Sequence, residues 1–206
     1  MYLWSVFEKG GPIMWPLLLT SLVSLAVVLE RLFFIVREQR SRRPAVIADV
    51  LLKVEQDKVR EAIGAGEESG DFVVRTLVHG LKHRDRGFAN ALLQAANQEL
   101  RRFGQGLTVL DTAITLAPLL GLLGTVSGML RSFGLLGTTE LSAPTVITGG
   151  IAEALIATAA GLGIAIVALI PFNYLNARLE IARHEIEDAS TRLELLMLRQ
   201  PERKPT

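Results

Sequence analysis

Two long apolar runs, Ala113–Leu136 and Val146–Phe172, stand on either side of a short turn-like segment, Gly137–Thr145. Each exceeds the roughly 20 residues a helix needs to cross a hydrocarbon core about 30 Å thick. A chain carrying such a pair is expected to fold around a hairpin of membrane-spanning helices. Inside the second run sits Glu153, in Gly-Gly-Ile-Ala-Glu-Ala-Leu-Ile-Ala-Thr-Ala-Ala-Gly. A charge at the centre of a lone span costs about 2.5–3.5 kcal/mol on insertion scales. An acid there needs a proton, a polar partner or a water-filled cavity.

A third apolar run, Ile13–Val36, is interrupted only by Glu30-Arg31. It is longer than a signal core, lacks a small-x-small cleavage site, and is followed by its basic cluster instead of being preceded by one, so it reads as a retained first span. Half of the 206 residues are hydrophobic, yet 21% are charged, and those charges must lie mostly outside the spans. Thirteen of the 22 Lys and Arg residues fall between Arg37 and Asp111 and six follow Phe172, whereas the 137–145 loop has none. Basic flanks stay cytoplasmic, which sets the N-terminus outside and the C-terminus inside. The expected order is an interfacial segment over 1–12, a first span over 13–36 and a cytoplasmic helical domain over 37–106. A second span over 107–136, a periplasmic loop over 137–145, a third span over 146–172 and a cytoplasmic helix and tail over 173–206 follow. The fold class is an all-α membrane protein with long cytoplasmic helical extensions.

The first residues, with Tyr2, Trp4 and Phe7 among few charges, predict a short interfacial helix closed by Gly10-Gly11-Pro12; a frayed tail is the alternative. In the cytoplasmic segment, Pro44 suits a first helical turn, and Val46, Val50, Leu51 and Val54 form an apolar stripe. Gly64, Gly66 and Gly70 predict a loop, and Phe72–Lys82 a helix broken at Gly87. From Phe88, helical spacing resumes through Leu92, Ala96, Leu100 and Phe103. That helix is expected to run into the second span, with a weak point at Gly104-x-Gly106. Beyond Phe172, Leu175, Leu179, Ala182, Ile186, Ala189, Leu193 and Leu196 make a heptad seam that ends before Pro201. The seam fits either the chain's own 88–110 helix or a second copy.

At about 100° per residue, Pro118, Gly121, Thr125, Gly128 and Ser132 share one face of the second span. The third span offers Ala154, Thr158, Gly161 and Ala165 on one face and Gly149, Glu153, Ala157 and Ala160 on another. Small residues let helices approach closely in lipid; Gly121, Gly124, Gly128, Gly150 and Gly161 are expected to do so. Glu153 lies roughly 12 Å and Thr158 roughly 20 Å in from the outer end of the third span. With Thr125 near the middle of the second span, these three suit a polar pathway. Glu153 and Thr158 differ in direction by about 140°, so the pathway is expected to have Thr158 facing it and Glu153 on its flank.

Three stretches carry a resemblance: Glu30-Arg31-Leu-Phe, Leu-Ala-Pro-Leu-Leu-Gly-Leu-Leu-Gly-Thr-Val-Ser-Gly-Met at 116–129, and Gly-Ile-Ala-Glu-Ala-Leu-Ile-Ala-Thr-Ala-Ala-Gly-Leu at 150–162. They resemble the MotA/TolQ/ExbB family, and the three-span layout and length resemble its ExbB and TolQ branch. The resemblance implies a ring of five copies whose second and third spans line a pore. It also implies two single-span partners of the ExbD/TolR type inside that pore, and proton passage that drives a TonB- or TolA-like protein toward the outer membrane from the bacterial inner membrane. By resemblance, Thr125 and Thr158 line the pore and Glu153 is the family's intramembrane glutamate, which either carries protons or positions the partner. The extra helix pair of MotA is not present in this sequence, so a flagellar stator is not implied.

Other chemistry finds little support. No P-loop pattern occurs, leaving the membrane potential, worth about 2.3 kcal/mol per charge per 100 mV, as the evident energy source. His79 and His83 stand four apart on an expected helix but lack a third ligand, so no metal, cofactor or catalytic residue is expected. The chain has no cysteine, which removes disulfides and thiolate chemistry, and its net charge of +1 gives no reason to expect nucleic acid. Glu30 and Arg31 read as structural. Alternatives to the coupled motor are a TolQ-type envelope-integrity role, a scaffold that transports nothing, and a free-standing ion channel.

Overall fold

The computed structural model describes residues 2–84, 87–136 and 144–199, and every regular element among them is a helix. They are α1 (Tyr2–Lys9), α2 (Met14–Arg40), α3 (Pro44–Glu55), α4 (Val59–Glu67), α5 (Phe72–Lys82), α6 (Phe88–Gly104), α7 (Leu107–Leu136) and α8 (Pro144–Arg199). Three stretches, within α2, α7 and α8, are long and apolar enough to cross a membrane. The protein is therefore an all-α membrane protein with three spanning helices. Most of the expected outer loop and the tail after Arg199 lie outside the described residues.

The chain divides into two compact units. The first comprises residues 1–30 and 106–174: α1, the N-terminal part of α2, α7 and the N-terminal part of α8. Its small core is Met14, Leu17 and Ala117, packed by Phe7, Ile13, Leu120, Ile156, Ala160 and Ile164. Large apolar side chains, among them Leu19, Leu130, Val167 and Ile170, point outward and are more than 60% exposed. Such a surface suits lipid as its solvent. The N-terminal aromatics form a short helix: Trp4 stacks on Phe7 at 5.8 Å, Phe7 meets Trp15 edge-on at 5.2 Å, and the Trp4 indole donates to Glu8 at 2.8 Å. Pro171 lies inside α8 without ending it, a tolerance typical of spanning helices.

The second unit, residues 31–105 and 175–206, contains the C-terminal end of α2, α3 to α6 and the C-terminal part of α8. Val50, Val54, Val59, Ala62, Phe72, Val74, Leu77, Leu81, Leu92 and Phe103 are buried in it. Asp71 is wholly buried and caps α5 by accepting from the Val73 amide at 2.9 Å; it also accepts from Arg42 at 2.6 Å and the Arg43 amide at 2.7 Å. Arg42 also pairs with Glu185 of α8 at 2.9 Å. Arg75 bridges Glu99 at 2.8 Å and Glu38 at 2.9 Å. Burial would lower the Arg75 pKa, but the hydrogen bond and charge of Glu99, then Glu38, outweigh it and raise it. Of the heptad positions, Leu175, Ala182, Ile186, Ala189 and Leu193 are buried in this single chain, which assigns the seam to the chain's own helices at those positions.

Two expectations change. Gly64 and Gly66 lie inside α4, not in a loop. A Cβ on Gly66 would overlap Val78 and come within 3.0 Å of Val74, so the glycine allows close helix contact. The expected continuous helix from Phe88 into the second span is interrupted at Gln105-Gly106, because Gly106 takes a left-handed φ of +77°. Arg31 is buried, donates to the Arg102 carbonyl in the last turn of α6 at 2.9 Å, and lies 4.9 Å from the Phe34 ring centre. A cation at a helix C-terminus is favourable there.

Candidate functional site

The α7–α8 pair is built by leaving side chains out. A Cβ on Gly121 would come within 3.0 Å of the Ala157 carbonyl and of the Thr158 Cα, and one on Gly128 within 3.1 Å of the Gly150 carbonyl. One on Gly124 would sit 2.6 Å from the Ala157 Cβ. One on Gly161 would overlap the Ala117 carbonyl, and one on Gly150 the Ser132 hydroxyl. The five glycines singled out from the sequence thus line one seam, with Ala117, Ala154 and Ala157 buried beside them. In lipid, where apolar burial drives little helix association, backbone approach and hydrogen bonds take over.

The hydroxyls are engaged locally. Thr158 donates to the Gly121 carbonyl at 3.0 Å across the seam, while Thr125 donates to Leu122 at 2.7 Å within its own helix. A hydroxyl that donates keeps its acceptor lone pairs, so both remain able to receive a hydrogen bond. Glu153 does not point along the seam. Its Oε1 lies 3.1 Å from the Arg131 Nη1 of α7, and its carboxylate lies against Gly11. Gly11 has φ +72°, and a Cβ there would overlap Oε1. The site therefore separates into a seam holding Thr158 and an ion pair set against the α1–α2 turn.

Arg131 escaped the sequence reading, although a signal existed. It is the sole basic residue in the Ala113–Leu136 run. It stands six residues before the Gly137–Thr145 turn, and Glu153 stands eight after it, which in a hairpin gives depths of roughly 9 and 12 Å. The Gly11 contact had no comparable signal, because it joins positions 142 residues apart through tertiary packing. The His79 and His83 rings lie 4.6 Å apart, tilted by 32°, and no group of metal-binding side chains occurs among the described residues.

Three helices apolar enough to span a membrane, two of them interlocked through glycine and carrying the Arg131–Glu153 ion pair, define a multi-pass membrane protein with ionisable side chains on its apolar helices. Such sites are costly and mark ion or substrate paths. The sequence matches the MotA/TolQ/ExbB proton channel family over residues 67–188. The Synechocystis protein named ExbB-like 1 is 38% identical over 179 residues, covering 82% of this chain and 68% of its own. The Neisseria meningitidis biopolymer transport protein ExbB is 28% identical over 218 residues, covering 97% and 99%. The Pseudomonas aeruginosa Tol-Pal system protein TolQ is 41% identical over 95 residues, covering 46% and 41%. The chain belongs to the MotA/TolQ/ExbB proton channel family, in its ExbB/TolQ branch.

Proposed function

We propose that the chain is the pore-forming stator subunit of a proton-driven motor in the bacterial inner membrane. Five copies form the ring, with N-termini outside and C-termini inside, and α7 and α8 line the pore. Single-span partners of the ExbD/TolR kind occupy that pore, and proton flow through it does work on a TonB- or TolA-like protein. Thr125, Thr158 and Glu153 lie on the proton path. The observation that carries this reading is an ionisable side chain retained in the third span of a proton-channel family member, with an acceptor-competent hydroxyl on each pore helix. A few charges crossing 100 mV supply several kcal/mol at about 2.3 kcal/mol each, enough to turn a helix pair past a set of hydrogen-bonding positions.

The test compares proton flux and outer-membrane work in cells making the full chain with its partner. Glu153→Gln and Thr125→Val are expected to insert and assemble normally yet lose both. Wild-type flux in both variants would remove the pathway. The near full-length match to ExbB favours TonB-dependent uptake over the TolQ role, which is supported over a shorter stretch. Loss of TonB-dependent uptake with an intact envelope supports the first; detergent sensitivity with intact uptake supports the second.

A further inference from the structure

Glu153 is held in place from two sides. Arg131 supplies charge at 3.1 Å, and Gly11 supplies room that any side chain would fill. Neither arrangement is needed to bring α7 and α8 together, because the glycine seam does that elsewhere. We propose that Arg131 is the positioning residue of Glu153: its guanidinium holds the carboxylate at the Gly11 turn, and that position governs proton passage. The inference rests on the reading that Glu153 lies on the proton path.

The chemistry divides the labour. A guanidinium stays protonated in proteins and only donates, so Arg131 is a fixed charge and cannot relay the proton. Glu153 is the member of the pair that can. When hydronium delivers its proton, an O–H bond forms on the carboxylate, water is left, and the attraction to Arg131 falls while Arg131 keeps all its protons. Return of the proton to water restores the pair. Arg131 is 53% exposed at its side chain and Glu153 24%, so the cation has space to move away when the pair loosens.

The chain has no cysteine, which permits a chemical test of charge at one position. Arg131→Cys is introduced into the full chain, produced with its single-span partner, and proton flux is read in membrane vesicles per assembled complex. Flux is expected to fall severalfold, to recover with a thiol reagent that leaves an ammonium group, and to stay low with one that leaves a neutral methyl group. In a Glu153→Gln background neither reagent should change flux. Equal flux with both adducts, while Glu153→Gln alone is inactive, overturns the positioning role and leaves the proton-path reading standing. A fully conducting Glu153→Gln chain overturns both. If the cysteine chain fails to assemble, Arg131→Lys and Arg131→Gln replace it: retained flux in the lysine variant alone supports the role, and equal loss in both assembled variants overturns it.

Discussion

The α7–α8 seam and the α3–α6 bundle join helices by opposite means. In the seam, glycine replaces side chains so that backbones meet, as where Gly161 faces the Ala117 carbonyl. In the bundle, valine, leucine and phenylalanine fill the space, and Leu77, Val50 and Val74 are wholly buried. The solvent explains the contrast. Water drives apolar burial at about 25 cal/mol per Å²; lipid gives no such reward, so close contact must supply the cohesion. The two regions also treat an acid differently. Asp71 is enclosed and accepts from three donors, whereas Glu153 pairs with Arg131 and keeps about a quarter of its side chain exposed. The first acid is enclosed by the donors it accepts from, and the second is held by its ion pair at a partly open position.

Matched substitutions put that difference to the hardest test. Asp71→Ala removes the acceptor of Arg42 and of two amides in the interior. Breaking such a buried pair is expected to cost about 3–5 kcal/mol, read as an earlier unfolding midpoint of the full chain in detergent. Glu153→Gln leaves only a half-exposed Arg131 unpaired, and its stability cost is expected to stay below about 1 kcal/mol while flux is lost. Comparable destabilisation by both would show that the two acids do the same job.

A glycine series sharpens the packing half. Gly161→Ala must displace backbone, with an expected cost of about 1–3 kcal/mol in resistance to denaturing detergent. Gly128→Ala meets the Gly150 carbonyl at 3.1 Å and should cost less. Gly163 has open space around its Cβ position, so Gly163→Ala should stay within about 0.5 kcal/mol. Equal effects at all three positions would mean that α7 and α8 are not held by close approach.

How much of this was legible follows from range. The spans, the start of α3 at Pro44, α5 over Phe72–Lys82 and the heptad positions rest on local periodicity, and the helices appear where it places them. Gly66 misled because glycine signals a loop when read alone and a tight crossing when Val78 lies opposite, and only tertiary packing brings Val78 there. Gly106 was a weak point by composition, but only its positive φ makes it a break. At the site, residue types and their positions along each helix were readable, and directions were not. That Glu153 turns to Arg131 and Gly11, and that Thr158 donates to Gly121, depends on the rotation of each helix about its own axis, which a repeat of small residues leaves loosely specified.

The smallest expected effect separates the two regions by pH. His79 sits near the C-terminal end of α5, where a helix favours a cation. Burial, then the nearby His83 and Lys82, nevertheless push its pKa below the ordinary 6.5. The folded chain thus binds this proton less readily than the unfolded chain, so stability rises with pH across the interval between the two values. His79 contributes fully above the unfolded value and loses that contribution as pH falls through the folded one. From about pH 7 down to pH 5, around the ordinary histidine value, the wild-type unfolding midpoint should drop slightly more than that of His79→Gln. Parallel curves would remove His79 as a titrating element of the bundle, and a gap that opens toward high pH would reverse the sign of its burial. Proton flux at fixed driving force should be unchanged by His79→Gln, because this histidine belongs to the α3–α6 bundle and takes no part in the pair at Glu153.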